Sequence, residues 1–171
     1  MSYDQHRQSA DQLAARCGVV TLSDTRTEST DKSGAKIKDL LAAAGHSVSF
    51  YQLIPDDPTR LDALLSDLET RPDVDVIITN GGTGVSRRDN TIPVVTRHLQ
   101  VPLPGFGELF RMLSYEQIKS GAMLSRALGG VAGPSRDKLL FALPGSTNAV
   151  ELAMTKLILP ELKHLLAELR K

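Results

Sequence analysis

The sequence predicts an α/β fold with a mostly parallel central sheet that is covered by helices on both faces. Short apolar runs alternate along the chain with amphipathic segments of helical period. Several apolar runs end directly in polar or Gly-rich turns, which is typical of strands in parallel sheets. The connecting segments are long enough for right-handed crossovers. A chain divided into separate helical and sheet halves would fit this alternation poorly.

Four apolar runs predict the strands, which cover residues 17–22, 48–54, 74–79 and 139–143. The third run is dominated by β-branched residues, and the second alternates between apolar and polar positions. The single cysteine, Cys17, lies in the first run, where we expect a buried apolar side chain rather than a nucleophile.

The first helices are predicted from amphipathic segments with recognisable ends. Asp31 or Ser33 caps a helix that Gly45 terminates. Residues 61–68 carry leucines at the spacing of one helix face, which predicts a second helix. Thr91 is expected to cap a third helix, because the proline two residues later is tolerated in a first turn.

The helices of the second half are predicted to be more interrupted. Residues 105–128 indicate short helices separated by Ser114 and Gly121. A helix follows from about Thr147, and Pro160 is expected to kink or divide it because proline lacks the N–H that a helix interior needs.

Composition and charge set limits on the class of protein. The 171 residues, 41% of them hydrophobic, suit a polar N-terminal arm over residues 1–15 and one domain over residues 16–171. The formal net charge is +0, so no overall positive field would attract nucleic acid or an anionic membrane. We expect a cytoplasmic protein, because no signal peptide and no apolar run of about 20 residues is present.

Four polar or Gly-rich stretches each follow directly on a predicted strand. Because the carboxyl ends of parallel strands meet at one edge of an open α/β sheet, we expect these stretches to form one binding crevice. They are Ser23 and Asp24; Pro55, Asp56 and Asp57; Gly81, Gly82, Thr83 and Gly84; and Pro144, Gly145 and Ser146.

The loop at residues 81–84 is suited to an anion. Its glycines let the backbone approach a ligand closely, and free N–H groups can hold phosphate. The loop lacks the Lys-Ser/Thr pair of a P-loop, and Arg87 stands where a dinucleotide fingerprint has its third glycine. A purely structural tight turn is the alternative at this point.

Charged residues beside the predicted crevice favour phosphate and metal binding. Arg88 offers the fork that matches phosphate oxygens, and Asp89 is a carboxylate of the kind that holds Mg²⁺. A solvated loop with an ion pair is the alternative. Asp56 lies between backbone-restricting prolines and is a second metal candidate, whereas Asp57 suits a helix cap. The four histidines lack metal-ligand spacing and are expected to be structural or exposed.

Several spaced motifs follow one another along the chain. The most specific is Gly-Gly-Thr-Gly at residues 81–84 with Arg-Asp-x-Thr at residues 88–91. The others, in order along the chain, are residues 23–26, 31–34, 105–108, 110–114, 125–127 and 143–146. Together these motifs resemble the molybdopterin-binding family that includes MoaB, MogA and the related domains of gephyrin and its plant counterpart. The resemblance spans residues 17–162, and residues 110–114 with the compact C-terminus are closer to MoaB.

The resemblance implies a three-layer α/β/α fold of the MogA type and a homo-oligomer, a trimer as in MogA or a hexamer as in MoaB. It also implies transfer of AMP from Mg-ATP to the terminal phosphate of molybdopterin. Asp56 and Asp89 match the two acidic positions of active members, which implies catalytic carboxylates that hold Mg²⁺. Ile92 and Pro93 follow Thr91 where the family often has Pro-Glu or Pro-Asp, so one secondary contact is missing.

The same resemblance assigns substrate contacts to the crevice. Glu108 is either an acceptor for pterin N–H groups or an exposed helix residue. The remaining substrate-binding residues are Ser23, Asp24, Gly81, Gly82, Thr83, Gly84, Arg88, Ser125, Pro144, Gly145 and Ser146. The alternative function is a catalytically inactive molybdopterin-binding or scaffold protein of the family. A nucleotide-dependent regulator unrelated to pterins rests on the Gly-rich loop alone.

Overall fold

A computed structural model describes residues 13–171, so most of the predicted arm at residues 1–15 lies outside the described residues. The strands of this part are β1 (Arg16–Leu22), β2 (Ser47–Ile54), β3 (Val76–Asn80), β4 (Val101–Pro102), β5 (Leu128–Ala132) and β6 (Lys138–Leu143). These six strands form one sheet in the order β2-β1-β3-β6-β5-β4. Strands β1, β2, β3 and β6 are parallel, and β5 pairs antiparallel with β6 and with β4.

Helices cover both faces of the sheet, which confirms the three-layer α/β/α prediction. The helices are α1 (Lys32–Ala43), α2 (Pro58–Thr70), α3 (Thr91–His98), α4 (Pro104–Ile118), α5 (Thr147–Ala153) and α6 (Leu159–Leu169). One core cluster joins the sheet to α1, α4, α5 and α6, and the other joins it to α2 and α3. No helix within residues 13–171 is long and apolar enough to cross a membrane.

Strand β1 shows how the sequence pattern divides between the two faces. Cys17 and Val19 pack into one core cluster, and Val20 and Leu22 pack into the other. The predicted burial of Cys17 is confirmed, and burial raises the pKa of its thiol to about 12. A thiol in this state is not a nucleophile near neutral pH.

Strands β4 and β5 were not predicted, because they lack the apolar run that identifies the other four. Strand β5 contains Gly129 and Gly130 in succession. A Cβ on Gly129 would lie 2.4 Å from the ring of Phe141, and a Cβ on Gly130 would lie 2.4 Å from the carbonyl oxygen of Val101. The neighbouring strand and ring therefore occupy the space that side chains would fill.

The helix predictions are correct at Asp31 and wrong at Thr91 and Ser114. Asp31 caps α1 and accepts the Gly34 N–H at 3.0 Å, so the first of the two candidate caps is correct. Thr91 is not a cap, because Asn90 occupies that position and the Thr91 hydroxyl donates to the Gly81 carbonyl at 2.9 Å. Ser114 does not divide α4, since it is buried within one continuous helix.

The predicted interruption near Pro160 is confirmed. Helix α5 passes into a π-helical segment at Met154–Ile158 before α6 begins with Pro160 in its first turn. Proline cannot donate to the preceding turn, and a local change to wider helical turns accommodates the missing hydrogen bond.

His98 of α3 pairs with two carboxylates of α2. Its Nδ1 atom lies 2.8 Å from a Glu69 oxygen, and its Nε2 atom lies 3.3 Å from an Asp62 oxygen. The hydrogen bond to Glu69 raises the pKa of His98, and it outweighs the lowering effect of burial. The folded-state pKa of His98 exceeds its unfolded-state pKa, so charged His98 contributes to the free energy of unfolding. This contribution is complete below the unfolded-state pKa. It is lost as pH rises through the folded pKa.

We therefore expect the difference in free energy of unfolding between the wild type and His98→Gln to shrink as pH rises through that range. Urea unfolding at a series of pH values measures this difference. A difference that stays constant from acid to alkaline pH would show that the charge of His98 does not stabilise the α2–α3 contact.

Candidate functional site at the carboxyl edge of the sheet

The loops that follow β1, β2, β3 and β6 meet at the carboxyl edge of the sheet, as the topology argument predicts. The Asp56 N–H donates to the Asp24 carboxylate at 3.1 Å, which joins the loops after β2 and β1. The Gly81 N–H donates to the Leu143 carbonyl at 3.0 Å, which joins the loop after β3 to the end of β6.

The loops after β1, β3 and β6, together with Leu124 and Ser125, surround a crevice with a volume of about 370 Å³. Asp56 and Arg88 do not line this crevice and lie next to it, in a tight pocket that they share with Thr91. The predicted site residues that line the crevice are Ser23, Gly81, Gly82, Thr83, Gly84, Asp89, Ser125, Pro144 and Gly145. A second cavity of about 680 Å³ shares Ser125 and Pro144 with the crevice and extends along α5 past Ser146. The two cavities together offer room for an extended ligand.

The start of the Gly-rich loop can be formed only by glycine. Gly81 has a φ of +101°, and a Cβ there would lie 2.2 Å from the Leu22 carbonyl oxygen. Gly82 has a φ of +61°, and a Cβ there would lie 2.4 Å from the Thr91 hydroxyl and 2.8 Å from an Asp56 carboxylate oxygen. Backbone of the loop thus lies directly against β1, α3 and Asp56.

Asp56 lies beside the crevice and is the predicted site residue whose carboxylate is both buried and unpaired. Its Oδ1 atom is buried and has no hydrogen-bond partner among the described residues. Burial raises the pKa of Asp56, and the negative charges of Asp24 and Asp89 raise it further against the opposing effect of Arg88 and Arg26. A buried carboxylate oxygen without a donor, close to two further carboxylates, is suited to a cation.

The pKa of Asp89 is shifted in the opposite direction from that of Asp56. Its carboxylate accepts the Ser86 N–H at 2.8 Å, and the hydrogen bonds from Ser86 and Gly84 lower the pKa of Asp89. A carboxylate fixed by backbone N–H groups stays ionised and keeps one orientation. The structure therefore pairs an orphaned Asp56 with a fixed Asp89 at one edge of the sheet.

The residues at the crevice fit a magnesium ion better than a fully protein-bound metal. Among residues 13–171, no cluster of three or more His, Cys, Asp or Glu side chains has the geometry of a metal site. Mg²⁺ commonly takes one or two carboxylates and completes its shell with water and substrate phosphates. Asp56 and Asp89 match this requirement.

Arg88 lies beside the crevice, and its guanidinium forms an ion pair with Asp24 in the loop after β1. The Arg88 side chain is 76% exposed, so this pair is at the surface and is worth little to stability. Its guanidinium can therefore move to a phosphate at small cost.

Three acidic or hydroxyl residues lie away from the crevice centre. Glu108 is exposed on α4 beside a separate cavity of about 260 Å³ that adjoins β5. Ser146 caps α5, where its hydroxyl accepts the Ala149 N–H at 3.2 Å. Asp57 caps α2 and accepts the Thr59 N–H at 2.8 Å, as predicted.

Sequence reasoning did not assign Arg26 and Arg126 to the site. Arg26 lines the crevice and donates to the Gly145 carbonyl at 2.9 Å and to the Ser33 hydroxyl at 2.6 Å. Arg126 contacts the Gly-rich loop. Both lie in motifs that carry the family resemblance, and their place in those motifs could have identified them as site residues.

A buried polar network lies beneath the crevice and centres on Asp31. Its carboxylate accepts the hydroxyls of Thr21 at 2.6 Å and Tyr51 at 2.8 Å, in addition to its helix-capping bond. Ser33 lies between Asp31 at 3.0 Å and Asn80 at 2.7 Å. The network fixes the start of α1 against β1, β2 and β3.

The chain is similar in sequence and in structure to known proteins of molybdenum cofactor biosynthesis. Residues 18–164 match a family model described as "Probable molybdopterin binding domain". Molybdenum cofactor biosynthesis protein B of Bacillus anthracis is 51% identical over 100% of this chain and 99% of its own. A crystal structure of a molybdenum cofactor biosynthesis protein B matches with a TM-score of 0.88 and 51% identity, covering 92% of this chain and 97% of that one. A solved structure of MogA matches with a TM-score of 0.79 and 30% identity, covering 90% and 99%.

Proposed function

Because the chain belongs to the molybdopterin-binding family of molybdenum cofactor biosynthesis proteins, we propose that it binds molybdopterin and adenylylates it with Mg-ATP. An oxygen of the molybdopterin terminal phosphate forms the new bond to the α-phosphorus of ATP. The bond between that phosphorus and the β-phosphate bridging oxygen breaks, and pyrophosphate leaves.

The observation that carries the proposal is the buried Oδ1 atom of Asp56, which has no donor among the described residues. Binding of neutral ligands would leave this oxygen unsatisfied, and such a group costs about 1–3 kcal/mol. A cation that arrives with a phosphate ligand supplies the missing partner. This favours a reaction of phosphates over simple storage of a pterin.

The obstacle to the reaction is the repulsion between two anionic reactants. Catalysis then consists of positioning and charge neutralisation. The backbone N–H groups of Gly82 and Thr83 would hold one phosphate, because those of Gly81 and Gly84 already donate to the Leu143 carbonyl and to Asp89. Arg26, which lines the crevice, and Arg88, which lies beside it, would neutralise charge. A phosphate nucleophile is already ionised, so no general base is required.

Asp56 and Asp89 would hold the magnesium ion that accompanies ATP. When bound, Mg²⁺ supplies charge neutralisation at phosphate oxygens and stabilises the departing pyrophosphate. Asp89 contributes a carboxylate whose orientation is fixed by backbone N–H groups. Asp56 contributes the oxygen that the protein itself leaves without a partner.

The larger cavity beside the crevice supports binding of the pterin portion. It has polar groups from α4, α5 and the segment around Ser125, including Gln117, Asn148 and Glu151. Amide and carboxylate groups of this kind can pair with the N–H and C=O groups of a pterin. Ser125 borders both cavities and would lie between the pterin and the phosphate.

A homo-oligomer, a trimer or a hexamer, is part of the proposal and is supported by an apolar stripe on α4. The stripe consists of Leu109, Met112, Tyr115 and Ile118, which are between 48% and 57% exposed. Met123, just beyond α4, is 80% exposed. Contiguous exposed apolar surface of this kind favours contact between protein chains.

Incubation of the protein with Mg-ATP and molybdopterin is expected to release one pyrophosphate for each molybdopterin adenylylated. Release is expected to require molybdopterin and to stop when EDTA removes the metal. An enzyme-coupled pyrophosphate assay measures it, and ATP without molybdopterin is the control. Tight molybdopterin binding with no release would favour the inactive binding or scaffold function instead.

A further inference from the structure

Arg126 lies between the 3₁₀ turn at Lys119–Leu124 and the start of β5, and its side chain is directed at the Gly-rich loop. Its Nε atom donates to the Thr83 carbonyl at 2.8 Å. Its Nη2 atom donates to the Gly84 carbonyl and lies 3.5 Å from the Asp89 carbonyl. One guanidinium therefore contacts two separate parts of the loop that follows β3, at residues 83–84 and at residue 89.

The same loop is joined internally by the side chain of Asp89. That carboxylate accepts the Ser86 N–H at 2.8 Å, and Gly84 also donates to it. Asp89 is thus held by its side chain from within the loop and by its backbone carbonyl from Arg126. Loss of either link would let the carboxylate move relative to Asp56.

Arg126 differs from Arg26 and Arg88, which both have a carboxylate partner. Arg88 pairs with Asp24, and Arg26 lies 3.5 Å from an Asp31 oxygen. Within the described part of the chain, Arg126 forms no ion pair and uses its donors for carbonyl oxygens. Its positive charge lowers the pKa of Asp89, so Arg126 acts on that carboxylate as well as on the loop backbone.

We propose that Arg126 is a positioning residue that fixes the Gly-rich loop and Asp89 for AMP transfer. The proposal rests on the proposed function for its kinetic readout. Arg126 acts through the loop and does not itself touch the reacting phosphates. A guanidinium is needed because its planar fork reaches several carbonyls at once, which neither a lysine nor an amide can reproduce.

Arg126→Gln is expected to lower kcat by about 10²-fold, since a small displacement of a catalytic group has an effect of this size. We expect the KM for ATP to change by less than about threefold, because the ground-state contacts of the nucleotide remain. Arg126→Lys should retain more activity than Arg126→Gln. The matched control is Arg136→Gln, at an exposed arginine in the β5–β6 turn at the opposite edge of the sheet.

A double-mutant cycle separates positioning from general loss of structure. If Arg126 acts through Asp89, adding Arg126→Gln to Asp89→Asn should lower kcat by less than about threefold beyond Asp89→Asn alone. Losses that multiply would show that Arg126 acts independently of Asp89 and would overturn the proposal. Wild-type kcat in Arg126→Gln would overturn it as well.

Hydrogen exchange tests the proposal even if the wild type releases no pyrophosphate. The Ser86 N–H should exchange at least about tenfold faster in Arg126→Gln than in Arg136→Gln, because local opening of the loop becomes easier. An inactive wild type with this faster exchange would refute the proposed function and support the loop-fixing role of Arg126. Unchanged exchange at Ser86 would refute that role.

Discussion

We expect the Asp56→Asn variant to lose about 10²–10³-fold in kcat for AMP transfer, or about 3–4 kcal/mol of transition-state stabilisation. The substitution keeps the size and shape of the side chain and removes its negative charge. Because the Asp56 Oδ1 atom has no donor among the described residues, the charge is not used for folding contacts and is available to a cation. Pyrophosphate release at saturating Mg-ATP and molybdopterin measures the loss.

The same substitution should leave the free energy of unfolding unchanged or raise it. Burial and the neighbouring carboxylates raise the pKa of Asp56, which means that its ionised form is disfavoured in the folded protein. A neutral amide removes the repulsion from Asp24 and Asp89. Activity that falls while stability holds is the signature of a residue retained for function at a cost to stability.

Asp57→Asn is the matched control for Asp56→Asn. Asp57 is the adjacent carboxylate in the chain, but it caps α2, and asparagine caps helices as well as aspartate does. This control should therefore keep both activity and stability. Wild-type turnover in Asp56→Asn, and likewise in Asp89→Asn, would remove the basis for assigning the metal-binding role to these carboxylates.

The predictable part of the fold is the part whose side chains face a core. Strands β1, β2, β3 and β6 were predicted because they carry apolar runs between two helical layers. Strand β5 was missed because Gly129 and Gly130 leave room for Phe141 and for β4. Only the folded structure shows which neighbour occupies that space, so a local pattern could not identify the strand.

The candidate site divides in the same way. The loops after the four parallel strands could be predicted, because strand direction and order place them at one edge. The partners of individual charges could not be predicted from local sequence. Arg126 meets Gly84 across 42 positions and Arg26 meets Gly145 across 119 positions, and both bonds depend on tertiary packing.

Asp31→Ala is expected to lower the free energy of unfolding by about 3–5 kcal/mol, as removal of one partner from a buried charged network does. Asp31 is only 2% exposed. Burial alone would raise the pKa of Asp31, but hydrogen bonds from Thr21, Gly34, Tyr51 and Ser33 outweigh burial and lower it. The carboxylate is therefore ionised in the folded protein and fully used by its partners.

Removal of the Asp31 carboxylate affects two strands and a helix at once. The Thr21 and Tyr51 hydroxyls lose a buried acceptor, and α1 loses the cap that binds the Gly34 N–H. Each buried donor left without an acceptor costs about 1–3 kcal/mol, and loss of a cap costs about 1 kcal/mol. Relaxation and entry of water reduce the sum, which brings the expected loss to the stated range.

Asp39→Ala is the control for Asp31→Ala, because Asp39 is an exposed aspartate on the same helix. Its effect should stay within about 0.5 kcal/mol. Urea unfolding, with equal dependence on denaturant in both variants, measures the two free energies. Stability is a small difference of about 5–15 kcal/mol, so the loss at Asp31 would remove a large share of it. Equal stabilities of the two variants would mean that the buried network does not hold α1 in place, and the crevice above it would need another support.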